Sequence, residues 1–290
     1  MNVYLTEPVS DILIDYLNKN HKIVTDLNLA DIAISRNKEI GKKEIDNAKN
    51  LKLIAVHGTG YNMIDINYAK EKNIKVFNTP NLNTNAVAEL NIMLALMLAR
   101  KYEDTIKTRI LGDINVMGSE LENKTVGFIG CGNIAIKTAN ILKGFNTNII
   151  GYNRTKKESI IKLLPLDDVL KLSDYIFITI ALNEETKEMI NKNTFNKMAN
   201  KPYLINSSRG AIVNNEDLYN ALHNKIIKGY ASDVFNPEPI DLNSNILKEN
   251  VIILPHVGAN TKEALDKMAN AIISGIELYL NNKKLENQLV

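Results

Sequence analysis

The chain has 290 residues, with 35 Lys and Arg against 33 Asp and Glu and a formal net charge of +2. At roughly 100–200 residues per domain this length suits two domains, large enough to bury a core without disulfides or structural metals. The balanced charge argues against a nucleic-acid binder, and the single cysteine excludes an intrachain disulfide framework or a Cys-based zinc cluster.

Val3–Leu5 reads as a first strand and Pro8–Leu17 as the amphipathic segment after it. Further strands are predicted at Asp31–Ile34, Leu51–Val56 and Lys75–Phe77, with a helical pattern at Lys42–Ala48. Pro80 and the Asn81–Asn85 stretch read as a linker into a helix over Thr84–Arg100 that is apolar nearly all round, a pattern that implies burial on more than one side. Its run from Ile92 to Ala99 is the longest apolar stretch, far short of the roughly 18–20 residues that span a bilayer. Met1–Leu5 lacks the basic and apolar regions of a signal peptide, so the expectation is a cytoplasmic protein that engages no membrane. Beyond the linker, strands are predicted at Thr125–Ile129, Asn148–Gly151, Tyr175–Ile180, Tyr203–Asn206, Tyr230–Ser232 and Val251–Leu254. Helices are predicted at Ile134–Lys143, Glu216–His223 and Thr261–Leu280. Strands alternating with helices imply an α/β fold with parallel sheets covered on both faces.

The segment Gly130-Cys131-Gly132-Asn133-Ile134-Ala135 stands between a predicted strand and a predicted helix. That is where a G-x-G-x-x-A loop binds a dinucleotide. Gly130 makes the tight turn, Gly132 lets the backbone approach the pyrophosphate, and Ala135 is small enough for helix–strand packing. The N–H groups at the helix start, from Asn133 and Ile134, face the phosphates. The next strand ends in Asn153-Arg154, followed by Lys156 and Lys157, with no acid at the position that reads the ribose hydroxyl. A carboxylate would repel a 2′-phosphate and Arg154 would pair with it, so the expected cofactor is NADP(H), with NAD(H) as the alternative. Cys131 reads as a small filler of the loop.

Three later strand ends carry polar residues, where open α/β sheets bind ligands. They are Asn206-Ser207-Ser208-Arg209-Gly210, Asp233-Val234-Phe235-Asn236-Pro237-Glu238-Pro239 and Pro255-His256-Val257-Gly258. Taken singly, Arg209 could cap a turn, Glu238 could be a surface acid and His256 a loop histidine. Together and in this order they resemble the NAD(P)-dependent D-isomer-specific 2-hydroxyacid dehydrogenase family. His57-Gly58-Thr59-Gly60-Tyr61-Asn62-Met63-Ile64-Asp65 is similar to that family's glycine loop, and Asn78-Thr79-Pro80 with Ala86-Val87-Ala88-Glu89 to its linker and interdomain helix.

The resemblance implies a hydride transfer between the nicotinamide cofactor and a small 2-keto or 2-hydroxy acid. In that scheme Arg209 binds the substrate, Glu238 pairs with His256, and His256 is the acid–base. The loop at His57, Gly58 and Thr59 holds the substrate carboxylate, and Asp233 lies near the nicotinamide; no metal takes part. The implied fold is two Rossmann-like domains. Residues 1–82 and 258–290 form a discontinuous substrate domain, and residues 83–257 an inserted dinucleotide-binding domain, with the active site in the cleft. A homodimer built on the cofactor domain is expected. Ala135 in place of a third glycine, Ala181-Leu182-Asn183 in place of a Pro-containing loop, and the polar strand Gly229–Ser232 depart from the family pattern. Phosphoglycerate dehydrogenase, or a non-catalytic dinucleotide sensor of the same fold, is the alternative.

Overall fold

The computed structural model describes residues 1–109, 112, 115–155 and 160–290. Lys156 and Lys157, read above as cations near the ribose, lie outside the described residues. The chain divides into two compact units, Met1–Asn83 with Ala259–Val290, and Thr84–Gly258.

The first unit holds β1 (Asn2–Leu5), α1 (Asp11–Asn20), β2 (Lys22–Val24), β3 (Ile32–Ser35), α2 (Lys42–Asn47), β4 (Leu53–Val56), α3 (Ile66–Glu71) and β5 (Lys75–Asn78). Its five strands are all parallel, in the order β2-β1-β3-β4-β5. Side chains alternate across the pleat, as a strand period of two requires. Leu53 and Ala55 of β4 join Val3, Leu13, Leu17 and Phe77 on one face, while Ile54 and Val56 join Ile45 and Ala69 on the other. The helix Lys262–Leu280 covers the first face through Ala269, Ile272 and Ile276. Beyond it, Val76 of β5 donates to Val290 O and accepts from Leu289 N.

The second unit opens with α4 (Thr84–Ala99) and α5 (Tyr102–Thr108). It continues through β6 (Thr125–Ile129), α6 (Asn133–Leu142), β7 (Asn148–Tyr152), β8 (Lys162–Leu163), α7 (Leu166–Leu172), β9 (Tyr175–Ile178) and α8 (Lys192–Phe195). It closes with β10 (Tyr203–Asn206), α9 (Asn215–His223), β11 (Gly229–Ser232) and β12 (Val251–Ile253). The seven strands are parallel, in the order β12-β11-β10-β9-β6-β7-β8. The chain starts in the interior at β6, winds out to β8, and returns to β9 on the other side. This is doubly wound topology with its switch point between β6 and β9. Phe128 and Phe177 stack at 5.2 Å on the face covered by α4 and α6. Ile129, Ile176 and Ile178 point to the face covered by α9. Each fully buried side chain of this kind contributes roughly 1.5–3 kcal/mol.

Two differences from the predicted elements have a plain cause. β2 and β8 are edge strands of three and two residues, too short to show a period. The run Tyr175–Ile180 stops pairing at Ile178 because Thr179 and Ile180 turn toward the glycine loop.

Candidate active site

The carboxyl ends of β6 and β9 meet at the switch point. Gly130 follows β6 with φ at +92°, a region open to glycine and strained for other residues. A Cβ there would stand 2.6 Å from the Ile180 backbone, and Thr179 Oγ1 donates to Gly130 O at 2.6 Å. Two residues on, a Cβ at Gly132 would meet nothing within 4 Å. Gly132 is also the N-cap of α6 and offers no side-chain cap, so the helix start keeps N–H donors for a phosphate. Asn133 and Ile134 are the first residues of that helix, and Ala135 is fully buried against the sheet. These features fit a dinucleotide pyrophosphate.

Asn153, just past β7, accepts from Cys131 N at 3.2 Å and donates to Thr155 O at 2.6 Å. Its side chain therefore ties the strand end to the glycine loop. Arg154 pairs with Glu185 Oε2 at 2.5 Å, a partner that no motif in the chain points to. Burial pushes the Cys131 thiol up to about 11, which keeps it protonated and fits its reading as a filler.

Arg209 stands in the turn after β10. Fully buried Asn206 shapes this turn: its Oδ1 accepts from Ser208 N at 3.0 Å, and its Nδ2 donates to Arg209 O at 3.0 Å and faces Tyr230 Oη at 3.3 Å. Burial pushes the Tyr230 phenol up to about 12, so it stays neutral. The polar strand Gly229–Ser232 thus has a purpose: Tyr230 and Ser232, whose Oγ donates to Asn206 O at 2.9 Å, both brace the Arg209 turn. Arg209 Nη1 donates to Ser208 O at 2.8 Å. Burial lowers the guanidinium's ordinary value, and the charge of Glu238 opposes that.

Gly210 fixes the next contact. A Cβ there would overlap the backbone of Phe235 and Asn236, so only glycine lets the Arg209 turn lie against the turn that carries Glu238. Asn215 Nδ2 donates to Asn236 O from the start of α9. In that turn Glu238 Oε1 accepts from Phe235 N at 2.9 Å, leaving Oε2 for His256 Nδ1 at 2.8 Å. Burial would raise the Glu238 carboxyl. The hydrogen bond and charge of His256, the Phe235 amide and Arg209 outweigh burial and hold it below the ordinary carboxylate value.

His256 has φ at +56°, a strained region for a residue with a Cβ. Asp233 over-determines that strain. Its Oδ1 accepts from Val257 N and its Oδ2 from Gly258 N, each at 2.6 Å. Asp233, grouped with cofactor contacts in the sequence, thus has both oxygens bound to the two amides after His256. Burial raises its carboxyl, and these two amides oppose the rise.

His57, Gly58 and Thr59 lie in the first unit, beyond β4. The His57 ring is buried, with no hydrogen-bond partner for either nitrogen among the described residues. Burial, with the charge of Arg36, pushes it down to about 4, so it is neutral at physiological pH. Gly58 N donates to Val56 O at 2.9 Å, and Gly58 O accepts from Thr79 N. That amide is therefore spent within the loop. Thr59 is anchored by Asn78 Nδ2 donating to its carbonyl at 2.8 Å, and its hydroxyl donates to Asn83 Oδ1.

A doubly wound unit with an open glycine loop at its switch point defines a dinucleotide-binding module. The model of the D-isomer specific 2-hydroxyacid dehydrogenase NAD-binding domain matches residues 92–258. A Staphylococcus epidermidis protein, provisionally named a 2-hydroxyacid dehydrogenase, is 39% identical over 253 residues, 83% of this chain and 80% of its own. The crystal structure of a Thermus thermophilus protein superposes with a TM-score of 0.93 at 26% identity, covering 100% of both chains. An acyclic imino acid reductase, solved with NADPH and D-Arg, superposes with a TM-score of 0.88 at 27% identity, again over 100% of both. The chain belongs to the D-isomer-specific 2-hydroxyacid dehydrogenase family, oxidoreductases with a nicotinamide dinucleotide cofactor.

Proposed function

We propose that the protein reduces a small 2-keto acid to the D-2-hydroxy acid with NADPH, and that NADH serves less well. The observation that carries this reading is the Glu238–His256 pair at 2.8 Å, with Arg209 close enough for its charge to bear on Glu238. A bound nicotinamide supplies the hydride. Gly130, Gly132, Asn133 and Ile134 would hold the pyrophosphate, and Asn153 and Arg154 would face the adenosine ribose. His256 protonates the nascent alkoxide, a task suited to an imidazole working near neutral pH. With Nδ1 committed to Glu238, Nε2 is the nitrogen left to carry that proton. Glu238 fixes the ring and stabilises its cation. Asp233 fixes the backbone that carries the ring. Arg209 binds the carboxylate and keto oxygens with its planar fork. A dinucleotide sensor would have no use for a proton donor, so the intact pair favours the enzyme.

The test is a turnover screen of glyoxylate, hydroxypyruvate, pyruvate, phosphohydroxypyruvate and branched 2-keto acids with both reduced cofactors. Turnover with NADPH ahead of NADH is expected; a tenfold preference for NADH would overturn the cofactor choice. Absence of turnover with every pair would favour the sensor.

The homodimer is part of the same proposal. α4 buries Ile92, Leu94 and Leu98 in the core of its own unit but leaves Met93 43% exposed, with Leu90 and Met97 half-buried on the same stripe. Light scattering should give twice the 32.5 kDa chain mass. A monomer mass at micromolar concentration would refute it.

A further inference from the structure

The crevice at the switch point is bridged by one ion pair that the sequence did not suggest. Arg154 stands two residues beyond β7, and Glu185 in the turn beyond β9. In the sheet β6 lies between those two strands, and its carboxyl end bears Gly130 and Gly132. The pair at 2.5 Å therefore reaches across the end of the strand that carries the glycine loop. Both partners are presented by fixed backbone. Asn183 Oδ1 accepts from Glu185 N at 2.9 Å and Thr186 N at 3.0 Å, and Thr186 Oγ1 donates to Ala181 O at 2.7 Å. On the other side Asn153 ties the residue before Arg154 to the glycine loop. The two side chains themselves are 72% and 70% exposed. An exposed pair is weak and separable, so it is poised to give way to a stronger anion.

We infer that Glu185 is a specificity-determining residue: it occupies the guanidinium of Arg154 and so lowers the enzyme's preference for a cofactor bearing a 2′-phosphate. The inference rests on the proposed placement of Arg154 at the adenosine ribose. A phosphate that pairs with Arg154 competes with the Glu185 carboxylate for the guanidinium Nη1, and that carboxylate stands near a dianion it repels. A 2′-hydroxyl makes neither demand. The position two residues past β7 thus does not set cofactor choice alone; its partner beyond β9 tunes it.

The test uses 2′,5′-ADP and 5′-AMP, which differ only in the 2′-phosphate and need no turnover. Calorimetric Kd values are compared for wild type, Glu185→Gln, Arg154→Ala and the double variant. Glu185→Gln should tighten 2′,5′-ADP by roughly three- to tenfold and leave 5′-AMP within about twofold. In the Arg154→Ala background the gain should shrink to the small part that relief of repulsion alone supplies, within about twofold. No tightening, equal tightening of both ligands, or the same gain without Arg154 would each overturn the inference. A wild type that turns over NADH tenfold better than NADPH would overturn the proposed cofactor choice and leave this inference standing, because only the change that Glu185→Gln causes bears on it.

Discussion

Replacing His256 by alanine is expected to lower kcat/KM for keto-acid reduction by roughly 10²–10⁴-fold, the usual contribution of a positioned acid–base. Dinucleotide affinity should stay near wild type, since the glycine loop and α6 do not involve His256. The companion variant Glu238→Gln keeps the shape of the side chain and removes its charge. A carboxylate within hydrogen-bond reach favours the protonated imidazole. Reduction needs that proton, so the alkaline limb of its pH profile should move to lower pH in Glu238→Gln. The rising limb for oxidation of the hydroxy acid should move the same way. In the wild type Glu238 is held below its ordinary value. Its charge, and whatever stability the pair contributes, is therefore in place above the ordinary glutamate range and lost only as pH falls through the depressed value. Profiles of kcat/KM against pH in both directions provide the check. Limbs that stay put would mean that the 2.8 Å contact has no bearing on catalysis, and an unimpaired His256→Ala would remove the enzymatic reading of this site.

Arg209→Lys is expected to cost substrate use far more than cofactor binding. Lysine keeps the charge but loses the planar two-point fork. A charge-assisted hydrogen bond is worth about 1.5–3 kcal/mol, so kcat/KM for the keto acid should fall roughly ten- to a hundred-fold. The NADPH dissociation constant should change by no more than a few-fold. Equal losses in both would instead identify Arg209 as a structural residue of its turn, a role that Asn206, Tyr230 and Gly210 could make it share.

Interior strands such as Tyr175–Ile178 and Leu53–Val56 are legible in the sequence because they are buried on both faces and read as unbroken apolar runs. β2 and β8 are not, since an edge strand of two or three residues pairs through its backbone and needs no apolar signature. The glycine loop is legible because its chemistry constrains adjacent residues. The site is harder to read. Arg209, Glu238 and His256 point to one another only through their likeness to a known family, because nothing local ties His256 to a glutamate 18 positions earlier. The attachment of Asp233 to the amides after His256 is invisible for the same reason: it joins a side chain to backbone donors 24 and 25 residues away. Arg154 is legible as a cation beside the ribose position, but the acid that engages it lies 31 residues on, in a turn with no motif. Gly210 follows Arg209 in the motif, but only the closeness of the Phe235 backbone explains why no side chain can stand there.

The two-part make-up of the first unit sets an order of assembly on the ribosome. Its strands β1 to β5 and helix α1 emerge first, and Val3, Ala55 and Phe77 of the sheet with Leu13 and Leu17 of α1 make up one apolar side. The residues that cover them, Ala269, Ile272 and Ile276, are translated only after the whole of 84–258. So are Leu289 and Val290, which pair with Val76 of β5. The second unit draws on one continuous stretch and can close as soon as Gly258 is made. Nascent domains fold as units as they emerge, so the unit that begins the chain is the one that finishes last. Until then it carries an uncovered apolar face and an open strand edge, the features most prone to stray association.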